Sequence, residues 1–297
     1  ENPFFGCKDN KKKFATIVQT NKITIMDTIA VGIDFSKASL AAMRLASDIA
    51  VRAEADLCII WVETAERDIN EAIADLEKYQ KELQTKIAPN EVSFKVVHDK
   101  KVYTALNHAV KECEADLLVI GTHGNSGFDE NFAGANTFKT ITTSSAPVLA
   151  VREDFNFDTH LENLIMPIDS TRDTRQKVPW TIEFSRMFPN TTIHVLGIHT
   201  TKNRTVRSEV EGYVHSVEKL LEKEQIRFTT AYIDAENTTL STIDYANRVD
   251  ADLIVIMTEQ EKTLSNIFLG PYAQQMINHS HIPVLTVSVK QINGASR

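Results

Sequence analysis

One glycine-rich stretch, Gly121-Thr-His123-Gly124-Asn-Ser-Gly127, running on to Gly134-Ala135-Asn136-Thr137, holds most of the side chains and amides that could bind a ligand. Gly121 and Gly124 let the backbone turn sharply and present N–H groups with no Cβ in the way. Gly134 comes just before an expected helix, whose first amides lack intrahelical partners and whose dipole adds positive potential. Such parts can cradle phosphates without any basic side chain. Asp34 ends an earlier apolar run, after Gly32 and Ile33, and adds a carboxylate. His123 reads equally well as a ribose or phosphate contact and as a solvated loop residue. A glycine-rich loop alone is usually just a surface loop. Its place between a strand and a helix shifts the balance toward a ligand.

Other reactive residue types carry less. Ser144 and Ser145 lack the G-x-S-x-G setting of a strained nucleophile, and no base pairs with them in the sequence, so no catalytic residue is assigned. His279 and His281 flank Ser280 without an acidic pair nearby, so no metal site is expected. His194 sits among alternating apolar residues and is expected to satisfy a local partner. The three cysteines, Cys7, Cys58 and Cys113, form no C-x-x-C. Cys58 lies in an apolar run and Cys113 on an apolar helix face, so both read as inert core. That cysteine usage fits a reducing, cytoplasmic setting. A formal net charge of −8 argues against nucleic acid as a partner. No apolar run is long enough to span a membrane.

The elements that must position these residues alternate. Strands are expected at about 29–33, 56–62, 92–97, 116–120 and 147–151, and helices at about 37–54, 66–87, 101–114 and 135–144. In the third helix Val102, Ala105, Leu106, Ala109, Val110 and Cys113 follow helical spacing and make one apolar face. Ser36 is placed to cap the first. Strands alternating with helices imply a parallel sheet covered on both faces. Ligands of such sheets sit beyond the strand C-termini, where the strand order reverses. An order of 3-2-1-4-5 puts that crevice between strands one and four, at Asp34 and Gly121. The order 2-1-3-4-5 is the other common arrangement.

The unit is written twice. Ala115-Asp-Leu-Leu-Val-Ile120 returns as Ala251-Asp-Leu-Ile-Val-Ile256, and Pro147-Val-Leu-Ala-Val151 as Pro283-Val-Leu-Thr-Val287, each 136 residues on. Gly134 and Gly270 keep the same separation. Strands of the second copy are expected at about 164–168, 191–198, 226–233, 252–257 and 283–288, with helices at 172–187, 204–224, 237–249 and 264–280. The expected division is an N-terminal extension over 1–25, a first domain over 26–152, a polar linker over 153–162, a second domain over 163–290 and a tail over 291–297. Met26 reads as the natural start.

Asp34-Phe-Ser after a strand, then G-x2-G-x9-G at Gly121, Gly124 and Gly134, then Ala146-Pro-Val-Leu, resembles the universal stress protein family. The resemblance covers about 27–152 and 163–289. It implies two tandem doubly wound five-stranded α/β domains of strand order 3-2-1-4-5. Their fifth strands are exposed edges that invite pairing, and the family commonly pairs them, giving an internal pseudo-dimer. It also implies a stress-response regulatory role, weak or no catalysis, and an adenine nucleotide such as ATP, with Mg2+, in many members. Carried over, Gly32, Ile33 and Asp34 line the adenine and metal side. Val62 packs on adenine with Ile120 near, and Gly121, Gly124, Gly134, Ala135 and Asn136 surround ribose and phosphates.

The chain departs from the family pattern at Ala135, where ATP-binding members have Ser or Thr. A missing hydrogen bond to a charged group weakens binding by roughly 1.5–3 kcal/mol unless it is replaced, here by Thr137 or Ser126. The second copy departs further. Met257, Glu259 and Gln260 stand for Gly121, His123 and Gly124, Glu261 follows, and Pro271 succeeds Gly270. Carboxylates would repel phosphate there, so this copy reads as a structural partner. Three functions stay open from the sequence: an ATP-responsive regulator with an unidentified protein partner, a nucleotide-free scaffold, and, last, a slow ATPase. Association into a homodimer stays open too.

Overall fold

Strand and helix alternate through both halves of the chain in the computed structural model, which describes residues 26–65, 67–122, 134–155, 161–258, 260–262 and 267–288. The expected extension over 1–25, the tail over 291–297, His123, Gly124, Ser126, Glu259 and the middle of the expected linker lie outside the described residues. The first half runs β1 (Thr28–Ile33), α1 (Lys37–Ala53), β2 (Asp56–Val62), α2 (Ile69–Ile87), β3 (Val92–Val97), α3 (Val102–Glu112), β4 (Leu117–Gly121), α4 (Ala135–Thr143) and β5 (Val148–Val151). The second runs β6 (Asn163–Ile168), α5 (Val178–Met187), β7 (Thr192–His199), α6 (Arg204–Lys223), β8 (Phe228–Asp234), α7 (Thr238–Arg248), β9 (Leu253–Met257), β10 (Gln260–Lys262), β11 (Ile267–Leu269), α8 (Pro271–His279) and β12 (Val284–Val287).

The strands of each half pair in parallel in the order 3-2-1-4-5. The halves join edge to edge: β5 and β12 run antiparallel, with Leu149 opposite Leu285. One ten-stranded sheet results, β3-β2-β1-β4-β5-β12-β9-β6-β7-β8. The expected internal pseudo-dimer is therefore built from the two strands that would otherwise be bare edges. At the seam the Thr286 hydroxyl donates to the Val148 carbonyl at 2.9 Å. Both central strands, Leu117-Leu-Val-Ile120 and Leu253-Ile-Val-Ile256, are buried on both faces, as their unbroken apolar runs predict.

Small details repeat across the seam. The Asp116 carboxylate accepts from the amides of Asp27 (2.8 Å) and Thr28 (3.2 Å), and Asp252 accepts from Glu162 (2.8 Å) and Asn163 (2.9 Å). Each aspartate thus ties the entry of the first strand of its half to the entry of the fourth. Thr122 and Thr258 each donate their amide at 2.9 Å to the last residue of the neighbouring fifth strand, Val151 or Val287.

Two expected helices are placed differently. The helix expected at 172–187 begins at Val178, and residues 172–177 are turns. Proline explains it. Pro179 lacks an N–H and its ring clashes with the carbonyl four residues back, so it is tolerated only in a first turn; a helix starting at 172 would have buried it mid-helix. The helix expected at 264–280 begins at Pro271 for the same reason. The residues before it pair as a short antiparallel hairpin, β10 with β11. That hairpin crosses the seam: β11 packs against α4 of the first half, and Leu269 is buried in a core that both halves share.

Candidate functional site

The end of β1 is held by a compact turn. The Asp34 carboxylate accepts from the Ser36 amide at 3.0 Å, while the Asp34 amide donates to the Ser39 hydroxyl at 3.2 Å. Ser36 caps α1, accepting from the Ser39 amide at 3.2 Å. Asp34 remains exposed at the mouth of the crevice. Between them Phe35 adopts a left-handed φ of 63°, a conformation an aromatic residue holds only when its surroundings over-determine it. Here the Arg67 guanidinium lies 3.6 Å over its ring and Trp61 meets it edge-on at 6.0 Å.

β4 delivers Gly121 beneath this turn. A Cβ on Gly121 would stand 2.7 Å from both the Ala38 carbonyl carbon and the Ser39 amide nitrogen. Glycine is required here for close approach, because any side chain would push the start of α1 off the sheet. The chain leaves β4 at Thr122 and is back beside it at Gly134, whose amide lies 3.4 Å from the Thr122 carbonyl. Gly134 is the N-cap of α4. It makes no side-chain capping bond, and a Cβ there would meet nothing within 4 Å. Ala135 and Asn136 are exposed in the first turn. Among the described residues nothing caps this helix start, which lies at the same end of the sheet as Asp34, and the first amides of a helix favour an anion.

The apolar wall divides. Val62 and Ile120 are both 5% exposed and belong to the core layer under α3. Gly32 pairs with Ile120 on one side and Ile60 on the other, and a Cβ on it would touch Leu106 at 3.0 Å. Ile33, one residue on, points to the opposite layer under α1, as strand alternation requires. Gly32, Val62 and Ile120 thus share a face at the crevice, and Ile33 offers it only backbone. Among the described residues no group of three or more His, Cys, Asp or Glu is placed to hold a metal ion, and no helix is long and apolar enough to cross a membrane.

This duplicated 3-2-1-4-5 fold with its glycine-bearing crevice matches the universal stress protein family twice, over residues 26–152 and 160–288. The chain belongs to that family. A Pseudomonas aeruginosa PAO1 protein described as functionally unknown is similar over 93% of this chain and 97% of its own, at 15% identity and a TM-score of 0.66. A universal stress protein from Archaeoglobus fulgidus DSM 4304 is similar over 88% of this chain and 98% of its own, at 13% identity and a TM-score of 0.66. Both likenesses concern the fold. A universal stress protein solved in complex with cAMP is similar over 43% of this chain and 97% of its own, at 23% identity and a TM-score of 0.34. Among curated proteins none matches the chain.

The second universal stress domain keeps the frame and changes its contents. Asp169 repeats the turn, accepting from the Thr171 amide at 2.8 Å and donating its own amide to the Thr174 hydroxyl at 3.1 Å. Pro167 stands where the first domain has Gly32, and β6 pairs with β9 only through Leu164 and Ile165. Met257 takes the place of Gly121, at the end of a fully buried strand. Gly270 caps α8 with almost the backbone of Gly134, φ −62° and ψ 153° against −60° and 154°, but Pro271 follows it and removes an amide. Where α1 has the buried Ala42, the second turn brings Lys177, 2% exposed, its ammonium donating to the Thr174 carbonyl and hydroxyl. Burial lowers its pKa to about 8, against the opposing pull of the nearby Asp169 carboxylate.

Pro167, Pro179 and Lys177 were not singled out by sequence reasoning. The two prolines carried a readable signal. The lysine did not, because only the displaced turn buries it. His194 meets the Tyr245 hydroxyl at 3.2 Å, Thr229 at 3.1 Å and Asn163 at 3.1 Å, and His281 meets Asp154 at 2.8 Å across the seam.

Proposed function

We propose that this protein is a stress-response regulator that binds ATP or a related adenine nucleotide, with Mg2+ beside the phosphates, in its first domain, and that its second domain is structural. The reading includes a cytoplasmic setting and a regulatory protein that senses the bound state. It rests above all on one contrast: α4 begins at Gly134, back beside Thr122 at the end of β4 and with no cap among the described residues, while the matching start of α8 carries Pro271. The amides at Ala135 and Asn136 would hold phosphate oxygens, the Gly32, Val62 and Ile120 face would take the base, and Asp34 would stand on the metal side. A bound nucleotide contributes the charge those amides lack. The chain contributes orientation.

A nucleotide-free scaffold is the second reading, favoured by Ala135, which supplies no hydroxyl. Calorimetric titration with ATP and Mg2+ separates the two. Gly121→Asp is a poor control, because its Cβ would displace α1. Gly134→Asp is the better one: its side chain enters open space, can cap α4, and puts a carboxylate where phosphate would lie. Saturable binding at one site per chain, abolished in Gly134→Asp with thermal stability unchanged or raised, supports the regulator. Absence of binding at millimolar ATP supports the scaffold, and two sites per chain would overturn the structural role of the second domain.

A further inference from the structure

Side chains of β2 alternate between the two layers. Leu57, Ile59 and Trp61 face one, and Cys58, Ile60 and Val62 face the other, where α3 lies. α3 turns Ala105, Leu106, Ala109 and Val110 into that same layer, and Cys113, its C-terminal cap, extends the stripe. Two cysteines far apart in sequence are thereby brought to the same layer, close enough for their side chains to interact. β3 completes the setting. Ser93 is the register partner of Cys58 and lies beside it on the same face of the sheet. Lys95 is held at 3.0 Å from Glu112, the residue before Cys113, which brings its ammonium beside the thiols.

We propose that Cys58 and Cys113 are an oxidisable dithiol, converted by a hydroperoxide into an intramolecular disulfide that ties β2 to the end of α3. The two sulfurs are unequal in a way that orders the chemistry. Cys113 is half-buried and reachable, and its side-chain interaction with Cys58, ahead of the opposing effect of its own burial, lowers its pKa, with Lys95 adding to the lowering. Cys58 is 2% exposed, and its pKa is raised by that same interaction and then by burial. A thiolate is the nucleophile, so Cys113 attacks the peroxide oxygen. The O–O bond breaks, its outer oxygen leaves as hydroxide or alkoxide and is protonated, and Cys113 becomes a sulfenic acid. The Cys58 sulfur then attacks the Cys113 sulfur. The S–S bond forms, the S–O bond breaks, and the hydroxyl departs as water with the Cys58 proton. Two electrons pass from the two thiols to one hydroperoxide. Cys58 lies in the core as its apolar run implies and Cys113 borders it, and no local spacing reveals their juxtaposition.

The test uses the full chain with Cys7→Ser, so that only this pair remains, exposed to hydrogen peroxide and followed by intact mass, thiol counting and peptide mapping. The expected result is loss of two hydrogens in mass, parallel loss of both thiols, a Cys58–Cys113 cross-linked peptide, and full reversal by dithiothreitol. In Cys58→Ala, Cys113 stops as a sulfenic acid trapped by dimedone. In Cys113→Ala, Cys58 keeps its thiol. The proposal is overturned if Cys113 proceeds to sulfinic acid while Cys58 stays reduced, if the thiols link chain to chain, or if neither reacts under conditions that oxidise a free cysteine peptide.

Discussion

The two crevices of this sheet begin with the same turn and end with different contents. Asp34 and Asp169 make the same pair of hydrogen bonds, two and five residues on, and Gly134 and Gly270 cap their helices with nearly identical backbone angles. Around that shared frame the first crevice has Gly32, Gly121 and an open helix start. The second has Pro167, Met257, Pro271 and a buried lysine. The backbone geometry of the turn and of the helix cap is thus common to both halves, while Pro167 and Met257 replace Gly32 and Gly121 in the second. In exchange the second domain covers the bare edge of the first with β12, and lays β11 against α4.

The largest expected effect tests that exchange. Leu269→Ala removes a buried side chain from the shared core, at a cost of about 2–5 kcal/mol, and denaturant unfolding is expected to show α4 losing hydrogen-exchange protection along with α8. Loss confined to the second domain would break the idea that the hairpin supports the first. Next comes Ala135→Ser, which restores the hydroxyl and is expected to tighten ATP binding by about 1.5–3 kcal/mol, or roughly ten- to a hundredfold, in titration. The change Pro271→Ser in the second domain should produce no such site. Gly121→Ala forces a Cβ against the backbone of α1 and is expected to cost about 1–3 kcal/mol in thermal unfolding, where the matching change Met257→Ala only opens space.

Stability should also depend on pH through Lys177. Its folded pKa, about 8, lies below the ordinary lysine value of 10.5. Between those values the unfolded chain binds the extra proton, so stability rises with pH, by up to about 1.4 kcal/mol per unit. Below that window both states are protonated and the dependence vanishes. Lys177→Met is expected to flatten the rise. A wild-type curve already flat over pH 8–10 would mean the amine is solvated.

Much of this was legible in the sequence. Apolar runs alternating with helical stripes, written twice, imply a duplicated parallel α/β unit with two strand orders open, and the resemblance to the universal stress protein family implies the order 3-2-1-4-5 and the pairing of the fifth strands. The starts of α5 and α8 were misplaced although Pro179 and Pro271 mark them, since helical periodicity was followed past a residue that forbids it. Ile33 faces away from Val62 and Ile120, which the alternation from Gly32 already implies. The Cys58–Cys113 contact and the burial of Lys177 depend on long-range packing, and no local pattern encodes either. Gly121 was read as a phosphate residue, and its contact with Ala38 and Ser39 gives it a packing role as well.

If only the first crevice takes nucleotide, amide hydrogen exchange compared residue by residue with and without ATP and Mg2+ will show added protection at 32–34, 120–122 and 134–137, with 167–169, 257–258 and 270–273 unchanged. Equal protection in both sets, or in the second alone, is incompatible with a single nucleotide site in the first domain.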